Sequence, residues 1–577
     1  MSHNQPSAVE ELRALGVDRN VPVAIAIGAD GVGIAVGSST VVVEECAPAA
    51  VVAEIEDAFH PRWVWWDQST ARTLVAGGTR VAACWDLSAV HRLLFGGWRA
   101  GAARVWATLH DLDPSGAPSL GQLDLLAAPV SGGSPDDPVQ PDGYLQPEWV
   151  DGQARSTAIA AAKWASLALE ARELQQARLE MIRSDSVNAG DPIATARSES
   201  AAELLCAELA IEGLPVSIAV AGRLLQELIG PRPRDDEDAA RLRARRDALV
   251  TEELPAAFGI DLRSPADVKT LLRRLGIDVP DTRAWRLEAL RESNPSVDAL
   301  LRWRKAERIA TTFGYGWLDA HVGADGRLRG EWAGSDGAAG RMTAQAGLHN
   351  MPAELREIVV AEPDHVFVRA DLGQIEPRVL AAVSRDASLI AATHDDDMYA
   401  PVARRLGVER PVAKVAVLAA MYGQTSGTAG QALRGLEAAY PVAMTYLADA
   451  ARAGEEGREL RTFGGRLLRM YDIGEASDHR AAAAGRGRYA RNAMVQGAAA
   501  ELFKAWAATV RARGADLDAR IVLCLHDELL VHVPTVNADA TATSLHDCLT
   551  EAATRWQRGA GVRFVADVSI SPTWSKP

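Results

Sequence analysis

The chain has 577 residues, of which 48% are hydrophobic and 24% are charged, and a chain of this length predicts roughly three to five domains. The composition excludes a wholly disordered protein, no run approaches the ~20 apolar residues of a membrane span, and the first residues lack a secretion signal. Five scattered cysteines argue against a disulfide framework or a zinc site, and the net charge of −15 argues only weakly against a nucleic-acid partner. We therefore expect a multidomain cytoplasmic protein.

The first part of the chain, residues 20–107, predicts an α/β domain. Short apolar runs such as VPVAIAIG and RWVWWDQ are broken by Gly and Asp turns, with a helical stretch around Ala50–Phe59. Residues 110–152 are rich in Pro, Gly, Asp and Ser, and this composition predicts a linker or a long loop.

The middle of the chain is predicted to be helical. Helical periodicity runs from Ala154 to about Arg183, and after a break residues 197–320 are almost entirely helical in pattern. From residue 325 onward we expect strands, helices and a closing β-hairpin, and the chemistry concentrates there.

A first motif begins at His365 and reads HVFVRADLGQIEPRVLAAVSRD. It predicts a strand with Asp371 at its end and a helix opened by Gln374, with Pro377 in the first turn, where its missing N–H costs nothing. A carboxylate held at a strand end is a good ligand for a hard metal cation. The alternative is an Asp that only caps the next helix.

A second motif begins at Arg520 and reads RIVLCLHDELLVHVP. It predicts a β-hairpin with His526-Asp527-Glu528 at the tip. Adjacent carboxylates repel each other unless a cation neutralises them, although an ordinary solvated turn is the alternative. An Asp on a strand end and an Asp on a hairpin tip of one sheet could hold two Mg²⁺ ions about 3.5–4 Å apart, the usual arrangement for in-line phosphoryl or nucleotidyl transfer.

A third motif begins at Glu409 and reads ERPVAKVAVLAAMYGQTSG. It predicts a helix that starts at Arg410 and stops at Gly423, with Arg410, Lys414, Leu418 and Tyr422 on one face. The two cations and the helix N-terminus suit a triphosphate, and the far end suits a sugar and a base. A solvated amphipathic helix is the alternative.

Together and in this order, the three segments resemble motifs A, B and C of the family A DNA polymerases, the family of bacterial DNA polymerase I. The resemblance covers roughly residues 195–577. Further matches are Gly340-Arg341, LHNMP (348–352), FGGR (463–466), RNAMVQGAAAELFK (491–504), IDLRSPADVK (260–269) and RKAERIATTF (304–313).

The resemblance implies a multidomain α/β and α+β protein, in which an RNase H-like exonuclease-type domain precedes a right-hand polymerase. The expected bounds are 1–190 for the exonuclease-like domain with its linker, 193–330 for the thumb, 331–395 with 519–577 for the palm, and 396–518 for the fingers. We also expect the sequence to begin too late to include the 5′ nuclease domain of many relatives.

The exonuclease-like domain is expected to be inactive. The family's proofreading site needs an Asp-x-Glu on its first strand, whereas VPVAIAIG holds no acid. Asp86 is interpreted as a relic of a later acidic motif, and Tyr144 precedes only Glu148 in place of the family's Tyr-x-x-x-Asp. Without carboxylates the domain cannot hold a pair of Mg²⁺ ions.

The implied activity is template-directed addition of deoxynucleotides to a primer 3′ end. The implied partners are primer–template DNA and deoxynucleoside triphosphates, the implied cofactors are two Mg²⁺ ions that Mn²⁺ can replace, and we expect a monomer without membrane contact. The alternatives are a lapsed polymerase that serves as a DNA-binding scaffold, or a polymerase with unrecognised exonuclease ligands.

The site residues implied by the resemblance fall into four groups. The metal ligands are Asp371, Asp527 and the Leu372 carbonyl, and the catalytic residues are Asp371, Asp527, Glu528 and Lys414. The nucleotide-binding residues are Arg410, Lys414, Leu418, Tyr422, Glu376, Gln374 and His526. The DNA-binding residues are Arg341, Asn350, Gln496, Arg466, Arg486, Arg488 and Arg491.

Several positions depart from the family pattern. Leu418 stands where relatives have an aromatic residue, Val417 and Ala419 replace an Asn and a Gly, and Leu372-Gly373 replaces a Tyr-Ser. The carboxylates and phosphate-binding cations are retained, so the resemblance implies an active enzyme with altered nucleotide selection.

Overall fold

The computed structural model describes residues 7–118, 134–184, 189–423, 429–474 and 479–574. These residues divide into two compact units. The first unit comprises residues 1–213, 331–343 and 364–571, and the second comprises 214–330, 344–363 and 572–577.

The helices and strands alternate along the chain. The α-helices are α1 (Ala8–Ala14), α2 (Pro48–Phe59), α3 (Gln68–Ala76), α4 (Leu87–Phe95), α5 (Ala102–Leu109), α6 (Pro147–Val150), α7 (Ala158–Ser184), α8 (Pro192–Glu212), α9 (Ile218–Ile229), α10 (Asp236–Glu253), α11 (Pro265–Arg274), α12 (Ala284–Glu288), α13 (Pro295–Thr312), α14 (Tyr315–His321), α15 (Ile375–Ser384), α16 (Ala387–Ala392), α17 (Tyr399–Leu406), α18 (Arg410–Tyr422), α19 (Ala429–Ala439), α20 (Pro441–Glu455), α21 (His479–Gly514) and α22 (Ala538–Gln557). The strands are β1 (Pro22–Ile27), β2 (Gly31–Val36), β3 (Ser39–Glu44), β4 (Arg62–Trp65), β5 (Ala83–Asp86), β6 (Leu214–Pro215), β7 (Arg327–Leu328), β8 (Trp332–Ala333), β9 (Thr343–Ala344), β10 (His365–Leu372), β11 (Leu460–Arg461), β12 (Leu467–Leu468), β13 (Arg520–Cys524), β14 (Glu528–Pro534) and β15 (Ala566–Ser571).

The amino-terminal part of the first unit is built on a five-stranded sheet of order β3-β2-β1-β4-β5. The β1–β2 and β2–β3 pairs are antiparallel, whereas β1–β4 and β4–β5 are parallel. Helix α7 crosses β2 so closely that a Cβ on Gly33 would lie 1.9 Å from the Ala162 nitrogen. The predicted strands and the helix around Ala50–Phe59 are confirmed, and residues 119–133 of the predicted linker lie outside the described residues.

Helix α8 packs on this amino-terminal sheet. The Ser200 hydroxyl accepts from the Asp86 backbone N–H, and the Ser200 carbonyl accepts from the Cys84 thiol. The predicted thumb begins at residue 193, whereas the second compact unit begins at Leu214. The difference arises because α8 packs on β5 and so belongs to the first unit.

A second sheet in the first unit has the order β13-β14-β10-β15, and all its neighbouring strands are antiparallel. Helices α21 and α22 pack against each other beside it, and the side chain of Trp506 donates to the Leu545 carbonyl between them. No helix in the described ranges is both long enough and apolar enough to cross a bilayer.

The second unit is mainly helical. Its core contains Val268, Leu271 and Leu300, which are contributed by α11 and α13. Pairing of β6 with β7 closes the unit beside α9. The predicted helical pattern of this region is confirmed.

Candidate active site

Two strands bring the predicted metal ligands to one end of the second sheet. In the antiparallel register of β10 and β14, Asp371 lies opposite Glu528. The Leu372 N–H donates to the Asp527 carbonyl at 2.7 Å, which fixes the hairpin tip beside the end of β10. The sheet pairing therefore gathers Asp371, Asp527 and Glu528 at one edge, as the sequence motifs predict.

An arginine that the sequence analysis did not single out lies between two of these acids. The Arg369 guanidinium donates to Asp371 at 2.7 Å and to Glu528 at 2.5 Å, and Arg369 is buried. Burial opposes its charge, but the hydrogen bond to Glu528 and the charges of both acids outweigh burial and raise the pKa of Arg369. Arg369 thus positions the carboxylates. Residues two apart on a strand share a face, so the sequence could have predicted that Arg369 lies beside Asp371.

The electrostatics of Asp527 indicate a surplus of negative charge. The residue reaches solvent, but partial burial of its carboxyl group raises its pKa to about 6, and the nearby charges of Asp371, Glu528 and Glu376 add to the rise. Arg341 acts in the opposite direction. A cation bound here would relieve this repulsion.

The donor set fits a divalent cation. Carboxylate oxygens are the ligands that Mg²⁺ prefers, and Mg²⁺ usually takes one or two carboxylates and completes its shell with water and substrate phosphates. Within the described residues, no group of three or more His, Cys, Asp or Glu side chains is placed to hold a metal ion. Asp371 and Asp527 supply the hard oxygens that such an open site uses.

Helix α18 carries the predicted nucleotide face. It runs from Arg410 to Tyr422 and ends at Gly423, whose φ of 69° lies in the left-handed region. Arg410, Lys414 and Tyr422 are exposed and Leu418 is half-buried, whereas Val417 and Ala419 point into the core. The predicted bounds of this helix and its single exposed face are confirmed.

The beginning of α18 is tied to the end of β10 through Asp397. The Arg410 guanidinium donates to Asp397 at 2.5 Å, and the Gln374 amide donates to the same carboxylate at 3.1 Å. The Gln374 side-chain oxygen accepts from the Met398 N–H at 2.9 Å. Asp397 was missed in the sequence because it is one of three consecutive acids with no spacing that distinguishes it.

The other end of α18 contacts helix α15, which follows β10, through Glu376. The Tyr422 hydroxyl donates to Glu376 at 3.2 Å, and the Arg341 guanidinium donates to it at 2.7 Å. Burial and the Glu376 charge raise the pKa of Tyr422, while a hydrogen bond to the Gln496 side chain lowers it. Arg341, Glu376, Tyr422 and Gln496 therefore form one cluster beside the carboxylates.

Two of the predicted DNA-binding arginines require correction. Arg466 is 1% exposed and pairs with Glu199 at 2.5 Å. Arg486 is buried and donates to the carbonyls of Gly454 and Glu455. Guanidinium groups held inside the protein by these partners cannot reach a phosphate, so the prediction of DNA contact is wrong for both in this structure.

The remaining predicted residues lie nearer to solvent. Arg488 is exposed, Arg491 is half-buried with its pKa lowered by burial, and His526 is exposed with its pKa lowered by partial burial and by Arg341. Asn350 is exposed and belongs to the second unit, where its carbonyl accepts from Arg308.

The amino-terminal sheet lacks a comparable acidic edge. Strand β1 lies in the middle of the sheet and carries no acid. Asp86 is buried as the N-cap of α4, where it accepts from the Ala89 N–H at 2.8 Å and from the Trp65 indole at 3.1 Å. Burial, followed by the charge of Glu203, raises the pKa of Asp86 to about 8. Asp86 therefore serves the fold.

Comparison with known proteins gives a consistent family match. Residues 237–576 match the model of DNA polymerase family A. The chain is 30% identical over 320 residues to DNA polymerase I of Chloroflexus aurantiacus, covering 50% of this chain and 33% of that protein. It is 28% identical over 379 residues to the thermostable DNA polymerase I of Thermus thermophilus, covering 60% of this chain and 44% of that protein. The chain thus spans less than half the length of these relatives.

A solved structure shares the fold along the whole chain. The POL domain of Pol1 from M. smegmatis, in complex with DNA primer-template and dNTP, superposes with a TM-score of 0.69 at 20% identity, covering 99% of both chains. At this identity the likeness concerns the fold alone.

Proposed function

Since the chain belongs to DNA polymerase family A, we propose that it is a DNA-directed DNA polymerase that extends a primer 3′ end with deoxynucleotides. One observation carries the proposal. The acidic edge of Asp371 and Asp527 is joined to the exposed face of α18 through the hydrogen bond between Glu376 and Tyr422. A metal-binding edge beside a cationic helix is the arrangement that nucleotidyl transfer requires.

The cofactors proposed are two Mg²⁺ ions, which Mn²⁺ can replace. Asp371 and Asp527 would hold them, with the Leu372 carbonyl as a further oxygen ligand, and Glu528 would support the site through Arg369. When bound, divalent cations lower the pKa of the attacking hydroxyl and neutralise charge on the phosphates.

The residues of α18 bind and orient the nucleotide in this proposal. Lys414 is exposed and has no hydrogen-bond or ion-pair partner among the described residues, so its ammonium group is available to a phosphate. Arg410 donates to Asp397 and can exchange that partner for a phosphate, because both are oxyanions. Gln374 and His526 flank the same edge.

Discrimination between sugars is assigned to Glu376. Arg341 and Tyr422 hold its carboxylate in place, so a ribose 2′-hydroxyl directed at it would meet a fixed group. Tyr422 would pack near the templating base, and Leu418 would contact the incoming nucleoside. This assignment makes Glu376 the main determinant of deoxyribose selection.

Primer–template DNA is the proposed macromolecular partner. Arg488 and Arg491 on α21, with Arg341 and Gln496, offer cations and an amide on the first unit, and Asn350 offers an amide on the second. Contacts of this kind to phosphates supply affinity without sequence preference.

For the amino-terminal region we propose an exonuclease-like domain that has no nuclease activity. The acid-free β1 and the structural role of Asp86 support this proposal. We also propose thumb, palm and fingers with the bounds expected from the sequence, apart from the assignment of α8 to the amino-terminal sheet, and a monomeric enzyme.

Primer extension on defined templates tests the proposal. With Mg²⁺ and four deoxynucleotides, a labelled primer should extend to the template end, and omission of one nucleotide should stop extension before its template complement. Extension that ignores the template sequence, or its complete absence, would contradict the proposal.

A further inference from the structure

Arg466 is a buried arginine that the proposed reaction does not use directly. It lies in the turn between β11 and β12, is 1% exposed, and its guanidinium group pairs with Glu199 of α8 at 2.5 Å. Burial opposes the positive charge, but the charge and the hydrogen bond of Glu199 outweigh burial and raise the pKa of Arg466. Arg466 therefore keeps its charge inside the protein, where α8 holds it.

The same guanidinium group contacts the β8–β9 loop, which comprises residues 334–342. The Nη1 atom of Arg466 donates to the Ser335 hydroxyl at 3.4 Å. The Nε atom faces Gly340, where an added Cβ would lie 2.3 Å from that nitrogen. Gly340 has a φ of 85°, so this close approach needs both a left-handed backbone and the absence of a side chain. The loop is thus packed directly on the guanidinium group.

The residue that follows Gly340 belongs to the candidate active site. Arg341 donates to the Glu376 carboxylate at 2.7 Å. Within the loop, the Asp336 carboxylate accepts from the Gly340 N–H at 2.8 Å, which fixes the direction of the backbone at that point. The position of the Arg466 guanidinium therefore determines where the Arg341 side chain begins.

Glu199 is the fixed point of this set of contacts. It is 2% exposed, and the Lys504 ammonium group donates to both of its carboxylate oxygens, at 2.8 and 2.9 Å. Lys504 belongs to α21, whereas Arg466 approaches from the β11–β12 turn. Two cations on different elements thus hold the carboxylate, and Arg466 has little freedom to move.

We propose that Arg466 is a positioning residue for sugar selection and acts on Glu376 through the β8–β9 loop. This inference rests on the proposed polymerase function and on the assignment of deoxyribose selection to Glu376. Glu199 fixes Arg466, and Arg466 supports the backbone at Gly340. Arg341, the next residue, holds the Glu376 carboxylate. The substrates whose use Arg466 restricts are therefore ribonucleoside triphosphates.

Single-nucleotide incorporation kinetics on the full chain test the proposal. Sugar selection is measured as the kcat/KM for a deoxynucleoside triphosphate divided by the kcat/KM for the matching ribonucleoside triphosphate. Arg466→Lys keeps the positive charge but loses the planar group that packs on Gly340. The ratio should fall about tenfold, because displacements of about 1 Å at positioning groups have effects of this size or larger. The kcat/KM for the deoxynucleotide should change at most a few-fold.

Arg511→Lys is the matched control for a general loss of structure. Arg511 of α21 also pairs with a buried glutamate of α8, since its guanidinium lies 2.6 Å from Glu208. It also donates to the Val81 carbonyl at 2.8 Å, beside the amino-terminal sheet. The same change of Arg to Lys should therefore leave the ratio unchanged, whatever its effect on the Tm.

A double-mutant cycle connects the effect to Glu376. Glu376→Ala removes the carboxylate that selects the sugar, so Arg466→Lys in that background should leave the ratio unchanged. Thermal unfolding identifies variants that do not fold. If Arg466→Lys does not fold, Ser335→Ala takes its place, because it removes only the hydroxyl that accepts from the guanidinium. Ser335→Ala should lower the ratio a few-fold, the effect of one hydrogen bond.

The results that overturn this inference differ from those that overturn the polymerase assignment. A wild type that incorporates no deoxynucleotide would overturn both. Normal incorporation of deoxynucleotides, with a ratio that folded Arg466→Lys or its substitute Ser335→Ala leaves unchanged, would overturn the inference alone. An equal fall of the ratio in Arg511→Lys, or a fall that persists in the Glu376→Ala background, would also overturn it alone.

Discussion

The ends of two sheets in the first unit carry opposite chemistry. Where β10 meets the β13–β14 hairpin, Asp371 and Asp527 crowd together, and the pKa of Asp527 rises to about 6 through partial burial and neighbouring acids. Where β1 and β4 end, Arg99, Arg104 and Arg155 face a cavity with one acid. The first end therefore carries a surplus of negative charge, and the second carries a surplus of positive charge.

This difference shows that a few side chains at strand ends decide the chemistry, whereas the fold only positions them. A nuclease of the two-metal type in this family needs acids on the first strand, and β1 carries none. The predictions below test the contrast between the two edges, from the largest expected effect to the smallest.

Removal of either aspartate should abolish extension. Asp371→Ala or Asp527→Ala should lower the rate of nucleotide addition at least about a thousandfold, because several kcal/mol of charge stabilisation are lost at ~1.4 kcal/mol per decade. Single-turnover extension measures this, and primer–template affinity should change only a few-fold. Asp539→Ala, an exposed acid of α22, is the matched control. Substantial extension by either variant would remove the metal assignment.

The side chain at 418 should tune nucleotide use by up to about tenfold. Leu418 is half-buried on the exposed face of α18, so Leu418→Phe should raise kcat/KM for deoxynucleotides by adding aromatic contact worth about 0.5–1.5 kcal/mol. Leu418→Tyr should selectively improve dideoxynucleotide use. Single-nucleotide incorporation kinetics decide this, with Val415→Ala, on the solvent side of the helix, as control. A lower kcat/KM together with a lower Tm would instead make Leu418 a packing residue.

Neutralising Asp527 should stabilise the metal-free protein by about 1 kcal/mol, after allowance for solvent screening. The pKa of Asp527 is about 6 in the folded protein and near 3.8 in the unfolded chain. The free energy of unfolding therefore falls as the pH rises from about 3.8 to about 6, because the folded protein holds the proton more tightly. The difference in free energy of unfolding between Asp527→Asn and the wild type should therefore grow between pH 4 and 6 and stay constant above pH 6. Denaturant unfolding with a chelator measures it. An advantage that is largest at pH 4 would contradict the assigned pKa.

Asp86→Asn should leave primer extension unchanged and lower stability only slightly. Its pKa of about 8 means that the carboxyl is mostly protonated at neutral pH, so the change removes little charge. An Asn side chain can accept from only one of the Ala89 N–H and the Trp65 indole, so the free energy of unfolding should fall by about 1 kcal/mol, the net value of one hydrogen bond. Stability and degradation of a mispaired 3′ end are measured together. Degradation by the wild type that Asp86→Asn removes would make Asp86 a metal ligand.

Much of the candidate site could be predicted from sequence because the signals are local. Pro411 and Gly423 mark the two ends of α18, and alternation along β10 puts Asp371 on a defined face. The acidic edge then follows because β10, which carries the first motif, pairs with β14, which carries the second.

The parts that could not be predicted depend on contacts between distant segments. Arg466 looks like a surface arginine in sequence, yet Glu199, far away on α8, holds it inside. Asp397 acquires its role only because Gln374 and Arg410 converge on it. Arg155 lies far along the chain from Arg99 and Arg104, and no local pattern reports that it lines the same cavity.

One assay tests the central contrast most directly. A labelled primer with a mispaired 3′ end is incubated with the protein and Mg²⁺ without nucleotides, and a paired primer is incubated with all four deoxynucleotides. We predict extension of the paired primer and no shortening of the mispaired one. Failure to extend the paired primer, or shortening that persists in Asp527→Ala, would contradict the assignment of metal chemistry to the β10–hairpin edge alone.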